Sequence, residues 1–365
     1  MNDLQQIFNI QYNLVYYAVS FVALLLIIEF YYRNINTSKI QKIILFFLLV
    51  GIILLFGFRT EMVGSDTPRN IKYFVDSYSF AIYSFSNVKD IGLYSVSMLA
   101  AKFTSNIDVF LTFLAILYIS PIYIGINNLK LKNPLIFFFF LFSFFFFKSM
   151  GINIQRQGIA FSLFFCAITY YQLQNKKFIT YLLYILAFMF HASIIIPIVV
   201  FFVSKKIKAV KIPLLIYLLS TGLSLVNFNF YGVLEQIPII NILVEERFEG
   251  YLNIDEERYR IGFRPDFWFF NTIFLFIGYY TYRNIKKLSV NIEFYKTIFF
   301  SYIFISSFFF LMFSYGFSDR YGVLSWIFIP FLLLPYVDYR KKIGLFNVLI
   351  LYLVCLTIAT IFKFI

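Results

Sequence analysis

The sequence has little charge, few potential metal ligands and no regular alternation. Only 13% of its 365 residues are charged, against 61% hydrophobic, which excludes an ordinary soluble globular protein. There is one histidine, His191, and there are two cysteines. One histidine cannot build a His-rich zinc site, and no Asp-x-Asp pair or other acidic cluster is laid out for Mg2+, so no metal is expected. Cys166 and Cys355 both lie in apolar runs and read as packing residues, not as a disulfide. Period-2 alternation is missing, which argues against a β-barrel. The start of the chain, Met1 to Leu14, has no basic segment and no small-residue cleavage site, so the first span is expected to be retained. No internal repeat and no flexible linker occurs, so a single membrane domain over residues 1–365 is expected.

What the sequence does contain is a series of apolar stretches near the ~18–20 residues needed to cross a bilayer as a helix. Spans fall at about 12–32, 40–57, 107–128, 134–149, 157–173, 178–190, 192–204, 212–230, 267–282, 293–314, 321–337 and 343–362. The fold class expected is an all-α polytopic membrane protein with about 11–12 transmembrane or re-entrant helices. The 53 phenylalanines read as lipid-facing or packing bulk, including the runs Phe137–Phe140 and Phe144–Phe147.

Charge falls into two classes of loop. Lys/Arg clusters stand at Arg33-Lys39-Lys42, Lys130-Lys132, Lys176-Lys177, Lys205-Lys206-Lys208-Lys211, Arg283-Lys286-Lys287 and Arg340-Lys341-Lys342. They read as cytoplasmic anchors, and they account for much of the net charge of +13 without nucleic acid as a partner. The alternate loops carry isolated arginines among Asp, Glu, Gly and Asn: Arg59, Glu61, Asp66 and Arg69, then Arg156, then Arg247 to Asp266, then Asp319-Arg320. With the clusters inside, these loops, His191 and both termini face outside.

Residues 178–203 test that topology. One tilted helix would put Lys205–Lys211 outside. Two half-helices broken near His191 keep the pattern, each arm only ~20 Å long against a ~30 Å core. A re-entrant or thin hairpin with His191 at its tip is the expectation, since broken helices are tolerated where they line a cavity. Of the outer loops, 58–106 holds two weakly amphipathic stretches, around 71–85 and 91–103, suited to the interface. Loop 231–266 is dense in charge and reads mainly as a solvated or headgroup-facing surface.

Four constellations carry chemistry. The first is Phe58-Arg59-x4-Gly64-x-Asp66-Thr67-x5-Tyr73. Arg59 suits bidentate phosphate binding, and Asp66 could orient it or take a proton. An interfacial Arg with Asp66 capping the next helix fits the spacing equally well. The second is Asn153-x-Gln155-Arg156-Gln157 at a helix start, where a cation opposes helix stability but suits an anion. The third is His191, an ionisable group interrupting an apolar run, where a functional role outweighs burial as a neutral core residue. The fourth is Arg264 in Gly262-Phe263-Arg264-Pro265-Asp266 with Arg320 in Ser318-Asp319-Arg320-Tyr321. Each of these has an Asp close by that could simply pair with it. Together, these outer arginines and one histidine could form a cationic pocket for a multiply charged anion. A polyprenyl pyrophosphate would suit both the spans and the arginines, and Arg would stabilise departing pyrophosphate.

These motifs resemble the EpsG/Wzy family of bacterial polysaccharide polymerases. The matching pieces are Phe58-Arg59-x4-Gly64-x-Asp66-x6-Tyr73, Asn153-x2-Arg156-Gln157 before Ala160, Phe190-His191-x-Ser193, and Arg320-Tyr321, in order over roughly residues 50–325. Loop 231–266 has no firm counterpart. The resemblance implies a GT-C-like glycosyltransferase of the inner membrane, working on its outer face without a cofactor. It would transfer a growing glycan from undecaprenyl pyrophosphate to a lipid-linked repeat unit. Donor and acceptor lipids are then the partners, with membrane lipids around them and room for a chain-length regulator. Carried over by residue, Arg59, Arg156 and Arg320 would hold pyrophosphate, with Arg264 a looser match, and His191 or Asp66 would activate the acceptor hydroxyl. Two other readings stay open: a flippase for lipid-linked oligosaccharide and an O-antigen ligase-like transferase. The first should show repeats and a polar path open to both faces, the second a large outer loop holding its histidine.

Overall fold

The computed structural model describes residues 3–33, 37–77, 91–173, 176–230, 261–284, 291–316, 318–338 and 344–361. Most of loop 231–266, including Arg247, and the basic residues Lys286, Lys287, Arg340, Lys341 and Lys342 lie outside the described residues, as do residues 78–90 of loop 58–106. Among the described residues there are helices and no strand, and the protein is an all-α multi-pass membrane protein. Within those residues five helices are long and apolar enough to cross a bilayer, or six if one bent pair counts as a span. Four more apolar helices of 10–17 residues accompany them.

The chain folds into two compact units, residues 1–195 with 334–365, and residues 196–333. The first contains α1 (Asp3–Arg33), α2 (Ser38–Gly57), α3 (Thr67–Asp76), α4 (Ile91–Ala101), α5 (Ile107–Asn128), α6 (Pro134–Phe142), α7 (Phe145–Ile152), α8 (Gln155–Gln172) and α9 (Lys177–Phe190). A 3-10 turn, Ala192–Ile194, follows. The second holds α10 (Ile195–Lys206), α11 (Lys211–Leu225), α12 (Pro265–Asn284), α13 (Ile292–Leu311), α14 (Asp319–Trp326) and α15 (Ile329–Leu332). The chain then returns to the first unit with α16 (Leu334–Asp338) and α17 (Leu345–Ile361).

In the first unit α8 is the hub, buried from Gln155 through Thr169 apart from Arg156, and packed on α5, α7 and α9. Its small residues and those of α5 let the backbones approach, as expected where dispersion replaces the hydrophobic effect. A methyl group on Gly125 would stand 2.6 Å from the Phe165 ring. By contrast, only 28% of α1's apolar window is buried, so most of its surface is left for lipid. α5 begins at Asn106, whose side chain accepts the Asp108 and Val109 N–H groups, a cap that satisfies two orphan donors.

The expected span 134–149 is not one helix. It breaks at Ser143–Phe144 into α6 and α7, bent by 76°. Ser143 Oγ donates to Phe139 O at 2.7 Å, with Tyr16 Oη 3.2 Å away, so the break has its own polar partners. The expected span 321–337 falls within Asp319–Val337, a 19-residue stretch long and apolar enough to cross, along which α14, α15 and α16 follow one another. The run 178–204 does break at His191, which closes α9 in extended conformation (φ −157°, ψ 111°) before the 3-10 turn.

Successive antiparallel helices sort the charge within each unit. In the first, Lys39, Lys42, Lys130, Lys132, Lys176 and Lys177 flank the start of α2, the end of α5 and the start of α9. Gln41 and Asn133 join that end: Gln41 Nε2 donates to Asn133 Oδ1 at 3.1 Å, and Asn133 Nδ2 to Val337 O at 3.0 Å. Arg59, Asp66, Arg156 and His191 flank the opposite end. In the second unit, Lys205–Lys211 and Arg283 stand at one end of α11 and α12, and Arg264 and Arg320 at the other.

Candidate functional site

The turn after α2 brings the first two motifs together. Gly64 takes φ +95°, which L side chains rarely adopt, and a Cβ there would lie 2.3 Å from Ile152 O at the end of α7. The backbone can therefore lie directly on the 152–155 segment. Ser65 N donates to Asn153 Oδ1 at 3.1 Å, and Asn70 Nδ2 to Gln155 Oε1 at 2.5 Å. Residues about 85 positions apart thus form one structure. The first helix joins it, because Gln5 Oε1 accepts the Gly64 N–H at 3.3 Å and its Nε2 donates to Asn9 Oδ1. Lys148 Nζ also donates to Asn9, at 2.7 Å, and lies over the Tyr12 ring.

Arg59 points into the protein and is only 3% exposed. Its Nη1 donates to Phe56 O, a carbonyl of the last turn of α2, where a cation suits the helix dipole. Its Nε and Nη2 each donate to Thr67 Oγ1 at 3.2 Å, and Thr67 passes its own hydrogen to Val63 O at 2.7 Å. Among the described residues Arg59 makes no ion pair. Burial lowers its pKa to about 10, so it remains a cation at neutral pH. A buried cation without a carboxylate is expensive, and an anion would relieve it.

Asp66, next along, pairs with Arg69 at 2.7 Å one turn on, and its side chain makes no cap hydrogen bond to α3. α3 itself turns Thr67, Asn70, Ile71 and Phe74 inward, the i, i+3, i+4, i+7 stripe of a packed helix. Phe74 stacks on Phe110 at 4.3 Å between centroids, which seats α3 on the start of α5. Arg156 is half-buried in the first turn of α8, its basic charge at the positive end of the dipole. α8 and α9 form a helical hairpin, so the end of α9 returns to the level of Arg156, and the 3-10 turn after His191 packs on α8. His191 is half-buried with Nδ1 inside, and its N–H and carbonyl are both used by the helix break. Gly92 permits the close fit of α4 there, since a Cβ would meet Phe190 N at 2.9 Å. One end of this unit therefore gathers Arg59, Asp66, Arg156 and His191.

The second unit gathers the other two. Gly262, at φ +98°, donates its N–H to Phe313 O at 2.9 Å, which places the Arg264 turn beside the loop that leads to Arg320. Arg264 binds Asp266 bidentately, at 3.1 and 2.7 Å, and its guanidinium lies 4.3 Å from the Phe267 ring centroid. Burial raises the Asp266 carboxyl, but the Arg264 hydrogen bond and charge, with backbone N–H groups, more than offset this, so its pKa is lowered. Arg320 is half-buried in the first turn of α14 beside Asp319.

A family model described as the EpsG family matches residues 42–365. The chain belongs to the EpsG family. EpsG is a Wzy-like family of polysaccharide polymerases, so this protein is, in general terms, a membrane polysaccharide polymerase of the glycosyltransferase type. No curated protein and no solved structure matches the chain. All the residues gathered above except Gln5, Asn9 and Tyr12 lie inside the matched EpsG range.

Sequence reasoning placed Thr67 and Gln155 in its motifs without giving them a role, and missed Gln5, Asn9, Asn70 and Lys148. A signal existed for the amides of α1, since Gln5, Asn9 and Asn13 recur every fourth residue on one face of the helix. Lys148 was visible as the one charge within 134–152.

Proposed function

We propose that this EpsG-family protein polymerises lipid-linked repeat units on the outer face of the cytoplasmic membrane, without a metal. It would transfer a growing glycan from undecaprenyl pyrophosphate to a sugar hydroxyl of the next unit. The observation that carries the reading is Arg59: a buried guanidinium that makes no ion pair among the described residues, with the start of α8 and its Arg156 docked on the same turn. Such a place favours a multiply charged anion over solvent. Arg59 and Arg156 hold the pyrophosphate in this reading, and within the second unit Arg320 and Arg264 are the candidate phosphate-binding groups. Arg264 is the weaker of these two, because Asp266 already neutralises it.

The acceptor hydroxyl attacks the anomeric carbon of the donor and gives its proton to a base. The anomeric carbon–oxygen bond breaks, and lipid pyrophosphate leaves with the electron pair, its charge met by arginine. Asp66 is engaged by Arg69, which favours His191 as that base. The Lys clusters at the other end of each unit support the outer-face placement.

The glycan ladder of a strain lacking this gene tests the function. Surface glycan of a single repeat unit is expected. Loss of all surface glycan would instead mark a flippase. With purified protein and lipid-linked repeat units, Arg156→Ala should lose nearly all polymer while inserting normally, and full activity would overturn the pyrophosphate assignment.

A further inference from the structure

The amide pair Asn70–Gln155 has only one possible arrangement. Gln155 Nε2 donates to Gly151 O at 3.0 Å, and a carbonyl can only accept, so Gln155 must turn Oε1 toward Asn70. Asn70 must then answer with Nδ2, as it does at 2.5 Å. Both side chains are buried, at 0% and 2% exposure. This fixes Asn70 Oδ1 on the far side, where it has no hydrogen-bond partner among the described residues. An apolar pair of the same volume would join α3 to α8 without leaving a buried carbonyl unsatisfied, so the join is more than packing.

Its location indicates the purpose. Asn70 lies one helical turn after Thr67, which holds the Arg59 guanidinium, and on the same face of α3. Gln155 directly precedes Arg156. We infer that Asn70 and Gln155 are positioning residues for the transfer reaction: their amide strut sets the register between Arg59 and Arg156 so that both meet the phosphates of one lipid-pyrophosphate donor. The inference rests on the pyrophosphate reading of those two arginines. Phosphate recognition by planar guanidinium forks depends on register, and a misplacement of about 1 Å costs on the order of 100-fold.

The test uses the full-length protein in lipid nanodiscs, with a pyrophosphate-linked oligosaccharide donor titrated at saturating acceptor, and turnover scored per folded molecule. Asn70→Ala and Gln155→Ala should each raise the donor KM by about tenfold or more and leave the acceptor KM unchanged. The double alanine variant should cost no more than either single, because both break one strut. Exchanging the two, as Asn70→Gln with Gln155→Asn, conserves the summed length and should bring the donor KM back to within about threefold. If the alanine forms do not fold, Gln155→Met keeps the volume without the hydrogen bonds and takes their place. A donor KM unchanged in these variants, with only the folded yield reduced, would overturn the inference and leave the pair a structural join. A folded exchange variant that fails to recover would also overturn it. Arg156→Ala in the same assay separates the two claims: a normal donor KM there sinks the pyrophosphate reading itself.

Discussion

Arg59, proposed here for the phosphate site, also carries part of the fold. Its guanidinium closes the end of α2 through Phe56 O and anchors α3 through Thr67. Arg59→Ala should therefore lose turnover and also destabilise the protein, by about 1–3 kcal/mol for the stranded polar groups. Thermal unfolding in detergent against Arg156→Ala, which should melt like the wild type, would show it. Equal melting of the two would mean that Arg59 has no structural share. Gly64 makes a sharper case. Any side chain there meets Ile152 O and adds left-handed strain of about 1–2 kcal/mol. Gly64→Ala should separate the turn from α7 and abolish polymer, and an active variant would refute the tight approach. Asp266 supplies a pH dependence. Its pKa is lowered in the fold, so its contribution is complete above the ordinary carboxylate range near pH ~4 and fades as pH falls through the depressed folded value. Asp266→Asn should melt at a lower temperature than wild type at pH 7, with the gap closing on acidification. A gap that widened in acid would reverse the sign.

At the scale of the element, the start of α1 matters more than its lipid-facing sequence suggests. Gln5 and Asn9 link it to Gly64 and Lys148. Asn9→Leu removes an acceptor from the Lys148 ammonium and should cost about 1.5–3 kcal/mol, the value of a hydrogen bond to a charged group. Unfolding in detergent would detect that loss, and an unchanged midpoint would confine α1 to a membrane anchor. The break at His191 has a comparable role. It ends α9 level with Arg156 instead of letting the apolar run continue, and α4 fits against it only because Gly92 has no side chain. His191→Gln can still serve the break by hydrogen bonding. If His191 is the base, the Gln form should lose about 100-fold or more in rate while folding normally. Near-normal polymerisation by that variant would leave His191 a structural residue.

For the whole molecule, the separation of Lys clusters from isolated arginines makes a topological prediction. Ser65 and Lys132 are both exposed and stand at opposite ends of the first unit, and Cys166 and Cys355 are buried and free, so single added cysteines can be read cleanly. In intact cells an impermeant maleimide should label Ser65→Cys, and Lys132→Cys only after permeabilisation. The reverse pattern would put the arginine end in the cytoplasm and end the outer-face reading.

The sequence by itself determined what depends on composition and local order. Low charge and long apolar runs specify membrane helices, the spacing of Lys clusters sorts the loops, and a lone polar residue at position 191 marks a break. Runs such as Phe137–Phe140 have no apolar phase, so periodicity could not reveal that 134–149 bends by 76° at Ser143. Only the tertiary structure decided that Arg59 turns inward, that Thr67 receives it, and that Asn70 meets Gln155. Those outcomes depend on contacts between residues about 85 positions apart, through side chains whose local sequence also suits a surface turn or a helix cap. Packing selects among such local options because a buried polar group must find its partner wherever the fold brings one.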